Sequence, residues 1–297
     1  MYKVVTITEN ECSFIALENA SKTTKAKICL EEGASLKELK FNEVFIINEQ
    51  PNFDYKDSYA SSILFPFVSR IQEGAYIFKD IEYQFDCNDS DKNALHGLVY
   101  NKKFKVVNTI ENFKFCSVTF EYEEIKESSG FPYTYKIQLT YTLFEKEISL
   151  SVKIENTALK AFPFTLGWHP YFFSDDLSNS TLKFKSDKKI EFDDNLITKR
   201  VVDFKIEEEF KIEDKQLDDC FILNSDTIEF KTPNYQIEIT TNQIENYLQL
   251  YTPKDLPIIA IEPMTGISNS FNNKIGLKVL EPKKSYSLSW NVKLNNS

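Results

Sequence analysis

Tyr135-Lys-Ile-Gln-Leu-Thr-Tyr-Thr-Leu143 decides the fold. Tyr135, Ile137, Leu139, Tyr141 and Leu143 fall on one side of a two-residue period, with Lys136, Gln138, Thr140 and Thr142 on the other. That alternation sets one face on a core and leaves the other wet, as in an antiparallel strand. Glu145-Lys-Glu147 reads as a turn, after which Ile148, Leu150, Val152 and Ile154 resume the period. Working outward, residues 2–7, 12–17 and 25–30 are short alternating runs broken by polar clusters, the spacing of a meander. Residues 36–48 read as a strand pair, 75–86 alternate again, and 104–121 carry further strands. Residues 181–193 read as a second, more polar hairpin, and the charged stretch 204–216 as a surface strand or loop. Residues 227–251 read as two or three strands and 256–261 as a buried strand; a last strand alternates Tyr286, Leu288, Trp290, Val292 and Leu294. Residues 49–62 are polar and irregular, and 88–93 form a turn-rich loop. No helix, repeat or linker is evident. The expected architecture is all-β, a large antiparallel β-sandwich forming one domain over residues 1–297.

Composition narrows the function classes. A net charge of −10, with lysines spread along the chain, argues against a nucleic-acid groove, which needs a basic footprint. No apolar run reaches the roughly 18 residues of a membrane helix. The N-terminal Met1-Tyr-Lys-Val-Val-Thr-Ile-Thr8 alternates like a strand and lacks the apolar stretch of a signal peptide. Cys12, Cys29, Cys87, Cys116 and Cys220 form no CxxC pair and are odd in number, so reduced thiols and a cytoplasmic location are expected.

Candidate chemistry lies where polar residues interrupt apolar or aromatic runs. The chain holds two histidines. His169 sits in Phe164-Thr-Leu-Gly-Trp-His-Pro-Tyr-Phe-Phe173, where Pro170 pushes it toward extended backbone and hence a strand end or loop mouth. His96 stands directly before Gly97, a residue that permits close approach of backbone or ligand. Glu262 closes the apolar run 256–261, Arg70 follows Ile63-Leu-Phe-Pro-Phe-Val-Ser69, and Asp218 opens Asp218-Asp-Cys-Phe-Ile-Leu223. A buried charge must be paired or meet a polar ligand, so Arg70 is expected to do one or the other. Two histidines and a glutamate suit either a metal or acid–base catalysis. The short local spacing of an HExxH site is absent, which favours acid–base work.

Asn93-Ala-Leu-His-Gly97, Leu166-Gly-Trp-His-Pro-Tyr-Phe172, Leu217-Asp-Asp-Cys-Phe221 and Ile261-Glu-Pro-Met-Thr-Gly266 resemble the successive signatures of the aldose 1-epimerase (galactose mutarotase) family. Phe65-Pro-Phe-Val-Ser-Arg-Ile71 is similar to that family's arginine motif. Order and rough spacing agree over almost the whole chain. Ser69 before the arginine and Asp219 after Asp218 depart from the usual pattern and bear on which sugar is bound. The resemblance implies the galactose mutarotase-like supersandwich, with an aldose in an open cleft and no metal or organic cofactor. It implies Glu262 as the base at the anomeric hydroxyl and His169 as the acid at the ring oxygen. His96 would hydrogen-bond near the ring oxygen, and Arg70 and Asp218 would hold hydroxyls. Trp168, Phe65 and Phe221 are candidates to stack on the sugar, although core packing is the commoner role for an aromatic. The expected partner is a small aldose, with no nucleic acid or membrane, and the chain a monomer or homodimer.

Three other readings compete. A hexose-6-phosphate epimerase needs extra cations, for which Lys102 and Lys103 after the His96 motif are candidates. A non-catalytic carbohydrate-binding protein of the same fold would not need an acid–base pair. A glycosidase using Glu262 with Asp218 would leave both histidines unexplained.

Overall fold

A computed structural model describes residues 1–9, 12–205, 209–243 and 245–295. Every pairing between its described strands is antiparallel. Lys3–Glu9, Cys12–Glu18, Lys25–Cys29, Ser35–Phe41 and Val44–Asn48 form a five-stranded meander in chain order. The Tyr135–Leu143 and Glu147–Asn156 hairpin lies inside a nine-stranded sheet, and Ser285–Leu294 pairs along its second strand. Its alternation is met residue by residue: Tyr135, Ile137, Leu139, Tyr141 and Leu143 are buried and the residues between them are half-exposed.

An eight-stranded sheet faces this one. It runs Thr198–Asp203, Ser186–Phe192, Asp218–Leu223, Asn246–Tyr251, Ile258–Met264, Gly167–Trp168 and Ile63–Leu64, and Tyr171–Phe173 also pairs with Ile258–Met264. Contact across the layers is aromatic. Trp168 stacks on Trp290 with centroids 6.2 Å apart, and Phe172 meets Phe230 at 6.3 Å. One continuous apolar cluster runs from Tyr2 to Val292.

Three expectations need correction. Residues 181–193 are not a hairpin: Thr181–Lys183 belongs to the nine-stranded sheet and Ser186–Phe192 to the eight-stranded one, so the chain changes layer between them. The buried strand runs Ile258–Met264, so Glu262 lies within it rather than at its end. Among the described residues there are two single helical turns, Tyr55–Ser58 and Ser270–Asn273. Of the charged stretch 204–216, Phe210–Lys211 is a short strand, and residues 206–208 lie outside the described residues. All five cysteines are free, with Cys29, Cys116 and Cys220 buried. Among the described residues, no helix is long and apolar enough to cross a membrane.

Candidate active site

The site grows out of the two faces of the eight-stranded sheet. In Ile258–Met264, Ile259 and Ile261 turn toward the main core, while Ala260, Glu262 and Met264 turn the other way. In Asn246–Tyr251, Leu248 and Leu250 take the core side, which leaves Gln249 and Tyr251 on the face of Glu262. Gln249 is the register partner of both Glu262 and Cys220, and Asp218 is opposite Tyr251. Glu262 is accommodated in this buried strand because its face borders a cleft of about 330 Å³ with other polar side chains, not the apolar core.

His169 enters that cleft from the break between Gly167–Trp168 and Tyr171–Phe173. Its backbone is held at both ends: its N–H donates to the Ser62 carbonyl at 3.0 Å, and its carbonyl accepts from the Ser61 N–H at 2.8 Å. His169 Nε2 stands 3.4 Å from Glu262 Oε1, with the two side chains 6% and 4% exposed. The His96 ring meets His169 edge-on at 5.1 Å between centroids. His96 has a positive φ of 60°, and its N–H donates to the Ser69 carbonyl at 2.9 Å. Gly97, with φ 78°, comes so close to Phe65 that a Cβ would lie 2.3 Å from its carbonyl oxygen. Only glycine fits that junction without displacing backbone.

Arg70 and Asp218 also line the cleft. Arg70 Nε donates to Asp89 Oδ2 at 2.6 Å, so the guanidinium is paired and still borders the cleft. Gln249 Nε2 donates to Asp218 Oδ1 at 2.7 Å. The five residues singled out in the sequence therefore converge. Asp89 and Gln249 were missed. Gln249 is a lone amide in the apolar run Tyr247-Leu-Gln-Leu-Tyr251, a readable signal, whereas Asp89 lies in a turn rich in Asn, Asp and Ser and has none.

The proposed aromatic platform is elsewhere. Trp168, Phe65 and Phe221 are fully buried in the main core. Tyr59, Tyr171, Phe192 and Tyr251 line the cleft instead. Lys102 and Lys103 do not line it: Lys102 is 3.9 Å from Glu124, and Lys103 pairs with Glu31 at 2.9 Å.

Burial governs the electrostatics. It pulls the His169 imidazole down to about 4. It pushes Glu262 well above the usual carboxylate range; nearby Asp218 adds to that shift and Arg70 opposes it. His96 falls well below its ordinary value through burial, then through His169 and Arg70. Asp218 rises through burial, with Arg70 working against it. Neither His96 Nδ1 nor His169 Nδ1 has a hydrogen-bond partner; on His169 it is Nε2 that faces the Glu262 carboxyl. Away from the cleft, donor atoms of Cys12, Cys29 and Glu31 lie within 4.8 Å of one another. Lys103 already occupies Glu31, and burial pushes the Cys29 thiol up to about 12; both oppose a cation there.

Fold and cleft together define a class: an antiparallel supersandwich with an imidazole–carboxylate pair at the floor of an open groove. A family model described as aldose 1-epimerase matches residues 14–293, and the chain belongs to that family. It is 26% identical over 300 residues to the uncharacterized protein YihR of Escherichia coli K12, covering 96% of this chain and 95% of that one. A galactose mutarotase-like protein from Clostridium acetobutylicum superposes with TM-score 0.86 at 21% identity, over 100% of this chain and 99% of that one. Galactose 1-epimerase from Lactobacillus acidophilus NCFM gives TM-score 0.83 at 16% identity, covering 99% of each chain.

Proposed function

We propose that the chain is an aldose 1-epimerase that interconverts the α and β anomers of a free aldohexose. The observation that carries this reading is the 3.4 Å approach of His169 Nε2 to Glu262 Oε1 in a cleft open to solvent. Glu262 takes the proton of the anomeric hydroxyl, and its O–H electron pair becomes the second bond of the C1 carbonyl. The bond from C1 to the ring oxygen breaks, its electron pair goes to that oxygen, and His169 supplies the proton. The aldehyde turns about C1–C2. Protonated Glu262 then returns its proton to the carbonyl oxygen, while neutral His169 takes the proton of the former ring oxygen as the ring recloses on the other face. Protons alone move, so the scheme calls for no redox group and no external nucleophile. His96 hydrogen-bonds beside the ring oxygen, and Arg70 and Asp218 hold hydroxyls, steadied by Asp89 and Gln249. The free thiols fit a cytoplasmic setting.

Free sugars are favoured over 6-phosphates by one observation. The lysines offered for a phosphate are engaged elsewhere, and Arg70 is already paired with Asp89. The test is relaxation of freshly dissolved α-glucose, α-galactose and their 6-phosphates, followed by polarimetry or NMR with and without chelator. Free-sugar relaxation is expected to be accelerated and chelator-insensitive, with Glu262→Gln losing on the order of 10²- to 10⁴-fold. Unaccelerated relaxation in the presence of demonstrable sugar binding leaves a carbohydrate-binding protein; preference for the 6-phosphates overturns the choice of substrate.

A further inference from the structure

Loop 88–93 supplies more than the Asp89 carboxylate. Asn88 is exposed, yet its amide makes three hydrogen bonds. Oδ1 accepts from the Leu95 N–H at 2.7 Å, and Nδ2 donates to the Leu95 carbonyl at 3.2 Å and to the Tyr59 hydroxyl at 3.3 Å. Leu95 is the register partner of Arg70, and in an antiparallel pair the N–H and C=O of one residue point to the same side. Those of Leu95 point away from Arg70, where the Asn88 amide meets them as a third strand would. The loop itself is closed by main chain: the N–H groups of Asn88 and Asp89 both donate to the Asn93 carbonyl, at 3.1 and 3.0 Å. An amide that served only its own turn would bond within the loop, whereas all three bonds of the Asn88 side chain leave it.

What these bonds hold is His96. The Leu95 peptide leads directly into it. Its Nδ1 is buried without a partner, so no hydrogen bond at that nitrogen turns the ring. Two rings meet it edge-on instead, His169 at 5.1 Å and Tyr59 at 4.8 Å between centroids. Tyr59 is itself confined. It is buried, has left-handed backbone with φ 52° at the end of Tyr55–Ser58, and meets Tyr100 edge-on at 4.8 Å. Asn88 therefore ties both the backbone that enters His96 and the ring that packs against it. Asp89, the next residue, ties Arg70. Neighbouring residues of one polar loop thus reach two different groups of the cleft.

We propose that Asn88 is a positioning residue for His96: it fixes the Leu95 peptide and the Tyr59 ring, and through them the direction in which the imidazole meets a bound sugar. The sugar in that statement rests on the reading of the cleft given above; the hold on His96 rests on the hydrogen bonds themselves. Asn88 does not line the cleft, so its effect on the reaction passes through His96.

The chain has two histidines, so imidazole NMR of the full chain gives two sets of ring signals, assigned with His96→Ala. Without sugar, Asn88→Ala is expected to shift or broaden the His96 set while the protein melts close to the wild-type temperature. In anomerisation assays Asn88→Ala is expected to lower kcat/KM about ten- to a hundredfold. In the His96→Ala background the same change is expected to cost less than about twofold, because a residue acting through His96 has nothing further to lose there. Unmoved His96 signals overturn the proposal. So does an equal loss in both backgrounds, the outcome for a residue that merely steadies the fold. If Asn88→Ala does not fold, Asn88→Asp, which keeps the acceptor for the Leu95 N–H and loses both donations, goes through the same measurements. Moved His96 signals in a protein that accelerates no sugar would refute the epimerase reading and leave the positioning role standing; acceleration with unmoved signals would do the reverse.

Discussion

At His169 and Glu262 the loss of water acts in opposite directions. It disfavours the imidazolium, so His169 titrates at about 4, and it disfavours the carboxylate, so Glu262 titrates well above its usual range. Between those limits the pair holds one proton. Placed on His169 it is the arrangement that opens a ring, and placed on Glu262 it is the arrangement that closes one. A second proton joins only as pH falls through about 4, where Glu262 can no longer act as base. The lone proton leaves as pH rises through the raised Glu262 value, and the acid is lost. After subtraction of solvent-catalysed relaxation, kcat/KM is therefore expected to be bell-shaped, with its acid limb near pH 4 and its alkaline limb above the ordinary carboxylate range. An acid limb near the unperturbed histidine value of about 6.5 would contradict this account. The residues themselves were legible because each interrupts an apolar stretch. Their assistants were less so: Gln249 interrupts one too, but Asp89 is one acid among several in a polar loop.

At the scale of elements, period two decides which side chain reaches the cleft. Glu262 and Gln249 share a face because their strands are paired in register, and the isoleucines flanking Glu262 build the core behind it. The same geometry removed Phe221 from the candidate platform, since it neighbours cleft-side Cys220 and so points into the main core. The layer change after Thr181–Lys183 was invisible for a related reason: alternation marks a strand but not the sheet it joins. The junction after Asn93–Leu95 turns on Gly97, whose left-handed backbone lies against Phe65 and orients His96. Gly97→Ala is expected to cost about 1–3 kcal/mol by denaturant unfolding and to lower sugar affinity in the protein that folds. Unchanged stability would show that the contact relaxes freely.

Across the whole molecule, the meander and both large sheets feed one apolar cluster from Tyr2 to Val292. We propose that residues 1–297 unfold as a unit. Thermal melts followed by far-ultraviolet circular dichroism and by tryptophan fluorescence should coincide, since Trp168 and Trp290 stack across the interface between the sheets. Two separated transitions would divide the chain into independent domains. The amino-acid sequence by itself determined the all-β character, the hairpin at 135–154 and the identity of the five converging side chains, because alternation and burial cost are local properties of residue order. The tertiary structure alone decided that Glu262 and His169 meet, that Asp89 and Gln249 hold their neighbours, and that the Asn88 amide reaches Tyr59. Those facts depend on strand register and layer order between segments far apart in the chain, and a periodicity of two carries no information about either.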